Sequence, residues 1–258
     1  MTRSLFVALL AGAVQSAGPP VGKGPLLLQE TFELTAPGDI PRGFQKTGAA
    51  EVVEGVAFSG RRSLRVAPAP NGPRRITLRG DVLRRLGGRH WGRLFFKVQL
   101  PHPEPASGVI HSTLVAGAAR SPLDQQPIEV RLVDTVLGAE RKHQWLYNVQ
   151  PASRPEFGKG SGFNYRYSDQ WTLAEWYVDF DTQSFRLFID GKEIEEVAFS
   201  KGKGNFRDAE IPEVFESLSF GWNNYQQAGA GFTVWIDDIA LAPERIGSRG
   251  VVPSRKKN

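Results

Sequence analysis

Five segments of the chain carry polar side chains where an apolar alternation would otherwise run unbroken. His111 interrupts GVIHSTLV, and Arg131 sits between Val130 and Leu132 in IEVRLVDT. KHQWLYNVQ contributes Gln144, Tyr147, Asn148 and Gln150, and period two places Gln144, Asn148 and Gln150 on one face. FGWNNYQQ adds Trp222, Asn223 and Tyr225, and RLFFKVQL adds Lys97 on the same face as Gln99. Amides, His and Arg beside Trp and Tyr suit a saccharide, because aromatic faces stack on pyranose rings while amides hydrogen-bond hydroxyls.

Two chemistries compete for such a groove. Glycoside hydrolysis needs two carboxylates across the scissile bond. Glu129 and Asp134 fall on opposite faces of a regular strand, and Asp179 and Asp181 read as hairpin residues. β-Elimination from a uronic acid needs the substrate carboxylate neutralised by Arg, Gln, Asn or His, with His or Tyr as acid and base. The sequence holds the parts for elimination and lacks those for hydrolysis.

The elements that must position these residues are short strands. SLRVAP, RITLRG, AEWYVDF, SFRLFIDG, SLSFGW and FTVWIDDIAL alternate with period two between Gly, Pro, Asp and Asn breaks. AEWYVDFDTQSFRLFIDGKEIEEVAF reads as three strands joined by turns at Asp181 to Gln183 and at Asp190-Gly191. The one helical candidate covers Asp81 to Leu86. Many strands without βα alternation predict an all-β, two-sheet antiparallel sandwich, a jelly roll with very little helix.

The ends read differently from the body. Arg3 followed by LFVALLAGAV and small residues predicts a signal peptide over 1–17, hence a secreted protein. GPPVGKGP marks 18–25 as a linker, 26–247 is the single domain, and 248–258 a basic tail. There is no cysteine, so disulfides, thiolate zinc and a cysteine nucleophile are excluded. LLLQETFEL and FTVWIDDIAL read as first and last strands lying together. Glu30 or Glu33 with Asp237 or Asp238 could give carboxylates to a structural Ca2+, and the Ser59-Gly60 turn could give carbonyls. Alternation points one of Asp237 and Asp238 inward, where an unpaired charge is costly.

The formal charge is +5, but Arg61 to Lys97 carries ten arginines, one lysine and one acid, while Asp169 to Glu216 carries twelve acids and five bases. Such polarity predicts a positive field for an anionic ligand. The absence of any nucleic-acid-binding motif, and the export signal, favour an acidic polysaccharide over nucleic acid. No apolar run spans a bilayer, and the chain is read as a monomer.

The ordered set HWGRLFFKVQLP, IHSTLVAG, EVRLVDT, KHQWLYNVQP, W…DGKEI and LSFGWNNYQ…VWIDDIAL resembles the concanavalin-like jelly rolls related to fungal glucuronan lyase. That group includes the cellulose-induced jelly-roll protein of cellulolytic fungi. The resemblance covers roughly residues 26 to 247. It implies a jelly roll, a calcium joining the chain ends and a cleft that binds or acts on polyuronate. On this reading His111 and Gln144 orient and neutralise the uronate carboxylate with help from Arg131. Tyr225 is the acid or base, with Tyr147 as the alternative, and Lys97, Asn148, Trp222 and Asn223 bind sugar. The competing expectations are a non-catalytic carbohydrate-binding module and, more weakly, an adhesin domain of the laminin-G kind.

Overall fold

The computed structural model describes residues 19–105, 108–200 and 208–248. The expected signal peptide and most of the expected tail lie outside them. Two antiparallel sheets form, as the period-two alternation predicts. The first sheet runs β13 (Lys192–Glu193), β12 (Ser184–Ile189), β11 (Thr172–Asp179), β6 (Arg89–Val98), β15 (Val234–Ala242), β4 (Arg62–Val66) and β3 (Ala50–Glu54). β1 (Leu28–Glu30) also pairs with β15, so the first and last strands do lie together. The second sheet runs β10 (Phe157–Gly160), β9 (His143–Pro151), β8 (Pro127–Leu137), β7 (Ile110–Arg120), β14 (Ser217–Asn224), β5 (Gly72–Arg79) and β2 (Phe44–Thr47). The helical turn α1 (Asp81–Leu86) covers the residues expected of it.

Alternate residues of both sheets meet in one core, where Trp145, Trp176, Trp222, Phe185 and Phe220 are fully buried. The hairpin between β11 and β12 closes near Gln183, and Asp190 and Gly191 both take positive φ, 50° and 79°, between β12 and β13. That is the pair of left-handed positions a tight hairpin needs. The third strand expected there is only two residues long and gives way to a 3-10 turn at Glu195–Val197.

The outer face of the first sheet is not left to solvent. Trp91, Phe188, Ala240, Ala242 and Ile246 make a second small cluster there. Arg245 lies 4.3 Å over the Phe188 ring and bonds the buried Glu175 at 3.0 Å. It also donates to the Pro19 carbonyl at 2.7 Å, while Gly22 N–H donates to the Arg245 carbonyl at 2.8 Å. Within the segment read as a linker, Pro19 and Gly22 therefore bond to Arg245 near the chain's other end. Among the described residues no helix is long and apolar enough to cross a membrane.

Candidate functional site

The outward face of the second sheet gathers most of the polar residues picked out above. Register aligns His111 on β7 with Val136 on β8 and Gln144 on β9, so His111 and Gln144 share one row two strands apart. Arg131 pairs with Asn148 in a second row. Asn223 at the end of β14 aligns with Thr113 on β7. Tyr225 N–H donates to the His111 carbonyl at 3.0 Å, and the Gln226 side chain accepts from His111 N–H at 2.7 Å. The last turn of β14 is thereby fixed beside His111.

Arg131 is the centre of this face. Its guanidinium carbon lies 4.1 Å from the Tyr225 ring centroid. Its Nε is 3.5 Å from Glu129 and its Nη1 3.9 Å from Asp134. Thr113 Oγ1 donates to Asp134 at 3.0 Å and stands 3.4 Å from the Tyr225 hydroxyl, which is also 3.4 Å from Glu129. Arg75 of β5 approaches Glu129 at 3.6 Å. Two cations thus face two carboxylates on one surface.

Glu129 and Asp134 were expected on opposite faces, and this is overturned. β8 bulges between Arg131 and Asp134, where Leu132 and Val133 together oppose the single Tyr147 of β9. The extra residue shifts the parity and turns Asp134 to the side of Glu129 and Arg131. The pair does not restore a hydrolase, however. Asp134 is fully buried under Arg131 and Thr113, out of reach of a glycosidic oxygen.

Protonation states follow from the packing. Burial, against the pull of Arg131, pushes Asp134 up to about 7. Burial and then the Arg131 charge hold His111 below the usual imidazole range, so it is neutral at neutral pH. Burial and the Glu129 charge raise Tyr225, so its phenol keeps the proton. Arg131, not His111, is the cation of this cluster, itself buried against Tyr225 between Glu129 and Asp134.

Three expected sugar contacts are corrected. Tyr147 faces the core, stacked 4.2 Å from Phe185 with its hydroxyl on the Ala209 carbonyl, so it is neither a sugar ligand nor the alternative acid. Trp222 is likewise buried, against Phe232 and Tyr167. Lys97 belongs to the outer face of the other sheet, 3.1 Å from Asp169 and over Trp235. Asn148 does reach the groove face, with Nδ2 3.3 Å from the Phe157 carbonyl.

Glycines of β10 make room beside these amides. A Cβ at Gly160 would stand 2.7 Å from Gln144 Oε1, and one at Gly158 3.2 Å from Asn148 Nδ2.

The arginine-rich run does not make one positive surface. Arg61 and Arg62 pair with Glu54, Arg65 with Glu51, Arg84 with Asp81 and Arg89 with Asp179. Arg74 and Arg93 are buried and bond main-chain carbonyls. The run is mostly structural.

The expected metal ligands divide. Asp237 is satisfied by Phe58, Ser59 and Asp238 N–H groups at 2.8, 3.1 and 2.7 Å, and burial and then the Asp238 charge push it up to about 8. Glu30 accepts from Phe32 N–H at 2.6 Å. Glu33 accepts from the Arg61 and Arg62 N–H groups beside the Ser59-Gly60 turn. Both Asp237 and Asp238 are buried, not one, because β15 bulges here with Asp238 at φ 48°. Burial raises the Asp238 carboxyl against the Ser59 hydroxyl and the Arg93 charge, and the Glu33 carboxylate adds to the rise. A buried carboxylate whose pKa is raised by burial and by a second carboxylate fits a hard cation. Among the described residues no three acidic or imidazole side chains cluster as a metal site, so carbonyls would complete the shell.

No family model matches the chain, and no curated protein does. Solved structures do. Cellulose induced protein Cip1 superposes with a TM-score of 0.53 at 18% identity, over 85% of this chain and 99% of that one. The endo-β-1,4-glucuronan lyase of the fungus Trichoderma reesei gives 0.51 at 14% identity, over 84% and 95%. The receptor-binding domain of botulinum neurotoxin mosaic serotype C/D gives 0.51 at 11%, over 86% of this chain and 48% of that one. The chain is an all-β jelly-roll sandwich that shares its fold with Cip1 and with glucuronan lyase.

Proposed function

We propose that the chain is a secreted carbohydrate-active protein that cleaves a glucuronate-containing polymer by β-elimination. The observation that carries this is the meeting of His111, Arg131, Gln144 and Tyr225 on one outward sheet face. Arg131 supplies positive charge to the substrate carboxylate, and Gln144 and Asn148 hydrogen-bond it or its neighbours. His111, neutral, takes the C5 proton. Tyr225, protonated, gives its proton to the leaving glycosidic oxygen. The shared fold with Cip1 and with a glucuronan lyase supports a carbohydrate-related reading.

Calcium belongs to the same proposal as a structural ion held by Asp238 and Glu33. It would supply charge compensation and pin β15 to the 58–62 turn, with no part in the elimination. Export rests on the sequence of residues 1–17.

The test is ultraviolet absorbance of the unsaturated uronate formed on glucuronan, alginate and pectate. Tyr225→Phe should lower the rate by about 10²- to 10⁴-fold while the polymer still binds. A native chain that retards a polysaccharide in affinity electrophoresis yet forms no unsaturated product on any polymer is a binding module. In that case the catalytic roles fall.

A further inference from the structure

The face that carries His111 and Gln144 continues past them. Val109 precedes β7, Gly138 follows β8 and Lys142 precedes β9, all at the same end of the sheet. His111, Val136 and Gln144 face outward in one row, and period two puts Val109, Gly138 and Lys142 on that side as the next row. The backbone is still extended at Gly138, with φ −113° and ψ −157°, and Gly138 N–H donates to the Lys142 carbonyl at 2.8 Å. These three residues line an open pocket of about 400 Å³ together with Gly108, Glu140 and Phe163.

A lone exposed apolar side chain needs no explanation. Phe163 is set apart by its surroundings. Among the described residues it is the one aromatic side chain left exposed, at 38%. Its ring lies over Gly138, where a Cβ would stand 2.9 Å from Phe163 Cε1. The loop beneath holds a shape that L side chains rarely adopt, with Glu140 and Arg141 in succession at φ 57°. Lys142 N–H closes that loop on the Ala139 carbonyl at 3.1 Å. Arg141 pairs with Glu104, Lys142 with Glu140 at 2.5 Å, and Arg166 donates to the Glu140 carbonyl. Three cations thus accompany two carboxylates around the loop. The Lys142–Glu140 pair is exposed, so a competing ligand displaces it at little cost.

We propose that this pocket is a further sugar subsite, where Phe163 stacks on the uronate next to the one held at His111 and Gln144 while Lys142 meets its carboxylate. The subsite rests on the elimination proposed above for the polymer it receives. Two residues along an antiparallel strand measure about 7 Å, roughly the length of one pyranose. A polymer that leaves the row of His111 and Gln144 along β9 therefore reaches Phe163 with its next ring. β9 lines that path throughout, since Gln150, Asn148, Gln144 and Lys142 follow one another on its outward side. An aromatic face suits the apolar face of a pyranose, and the flanking polar groups fix its orientation. The excess of cations favours a uronate over a neutral sugar. The open mouth lets the polymer run on, as an enclosed cavity would not.

Two readouts on the full chain keep the subsite and the elimination apart. Affinity electrophoresis gives the Kd for glucuronan, and ultraviolet absorbance gives KM and kcat for the unsaturated product. Phe163→Ala should raise Kd and KM about 10-fold with little change in kcat, as loss of binding common to substrate and transition state does. If Phe163→Ala binds and cleaves glucuronan like the native chain, the subsite is overturned and the elimination stands. If the native chain binds glucuronan without cleaving it, the elimination falls. The Kd of Phe163→Ala then decides the subsite alone: a 10-fold rise upholds it and an unchanged value overturns it. A native chain that glucuronan does not retard overturns both. Should Phe163→Ala not fold, Lys142→Gln takes its place, with a Kd for glucuronan raised at least about 3-fold. An unchanged Kd there overturns the subsite.

Discussion

Replacing Asp134 by Asn should reverse sign with pH. Asp134 is fully buried, and its carboxyl is pushed to about 7 from an ordinary 3.8 by loss of solvent, against Arg131 and the hydrogen bonds from Thr113 and Thr135 N–H. Glu129 on its own strand adds repulsion, and Tyr167 and Tyr225 are the titratable groups facing it from neighbouring segments. The folded chain therefore holds this proton more tightly than the unfolded chain. Its contribution to stability is full below about pH 4, falls as pH rises through about 7, and is lost above that. A shift of about three pH units corresponds to a swing of roughly 4 kcal/mol. The amide has no proton to lose and escapes the swing. It does place an NH₂ where Asp134 Oδ2 now sits beside Arg131, a donor facing a donor, at a cost of about 1–3 kcal/mol. Asp134→Asn should thus be about 2 kcal/mol less stable than the native chain near pH 4 and about 2 kcal/mol more stable near pH 8. Urea midpoints read by tryptophan fluorescence at both pH values measure the gap. A gap that stays constant with pH refutes the assignment of Asp134 as a carboxyl kept neutral by burial.

Three further outcomes follow from named contacts. Gly160→Ala should leave the unfolding midpoint within about 1 kcal/mol of native, because only the flexible end of Gln144 must move, while the elimination rate drops about 10-fold. Circular dichroism with the unsaturated-uronate assay separates the two effects. Arg245→Met leaves Glu175 buried without its cation and should cost about 3–5 kcal/mol, with proteolysis appearing near residues 19–25. Mass spectrometry of the limited digest reads the cut. Calcium at about 100 times its Kd should raise stability by about 2.7 kcal/mol over chelator-treated protein. Asp238→Asn should abolish that gain and Glu30→Gln should not; thermal scans of the three chains check it.

The fold was legible because it depends on parity and breaks, which one sequence displays. Strands such as SFRLFIDG and SLSFGW alternate cleanly, and the Asp190-Gly191 pair announces its own hairpin. β2, β3 and β10 were not legible. FQKT and FGKG carry little apolar signal and are held at sheet edges by β5 and β9 rather than by their own pattern. The charge run misled for a related reason. Sequence proximity suggested one basic surface, but a sandwich deals consecutive strands to different sheets. Arg65 on β4 and Arg75 on β5 lie on different sheets.

Within the site, parity was informative wherever the strand stayed regular. Gln144, Asn148 and Gln150 on one face already required Tyr147 on the other, and the core position of Tyr147 obeys that rule. Lys97 failed on topology, since nothing in RLFFKVQL tells which sheet receives it. The failure at Asp134 was of a different kind. A bulge inserts one residue and inverts every assignment beyond it, and IEVRLVDT contains no glycine or proline to mark the place. The same event recurs at Asp237-Asp238 on β15, where alternation allowed one buried acid and the bulge buries two. In both strands the irregularity falls where an acidic residue is turned into the protein. Bulges persist when the side chain they re-aim is worth the lost ladder bonds. On that ground the two places where alternation misplaced an acid, Asp134 under Arg131 and Asp238 beside Glu33, are the two where substitution should disturb this chain's chemistry and its closure most.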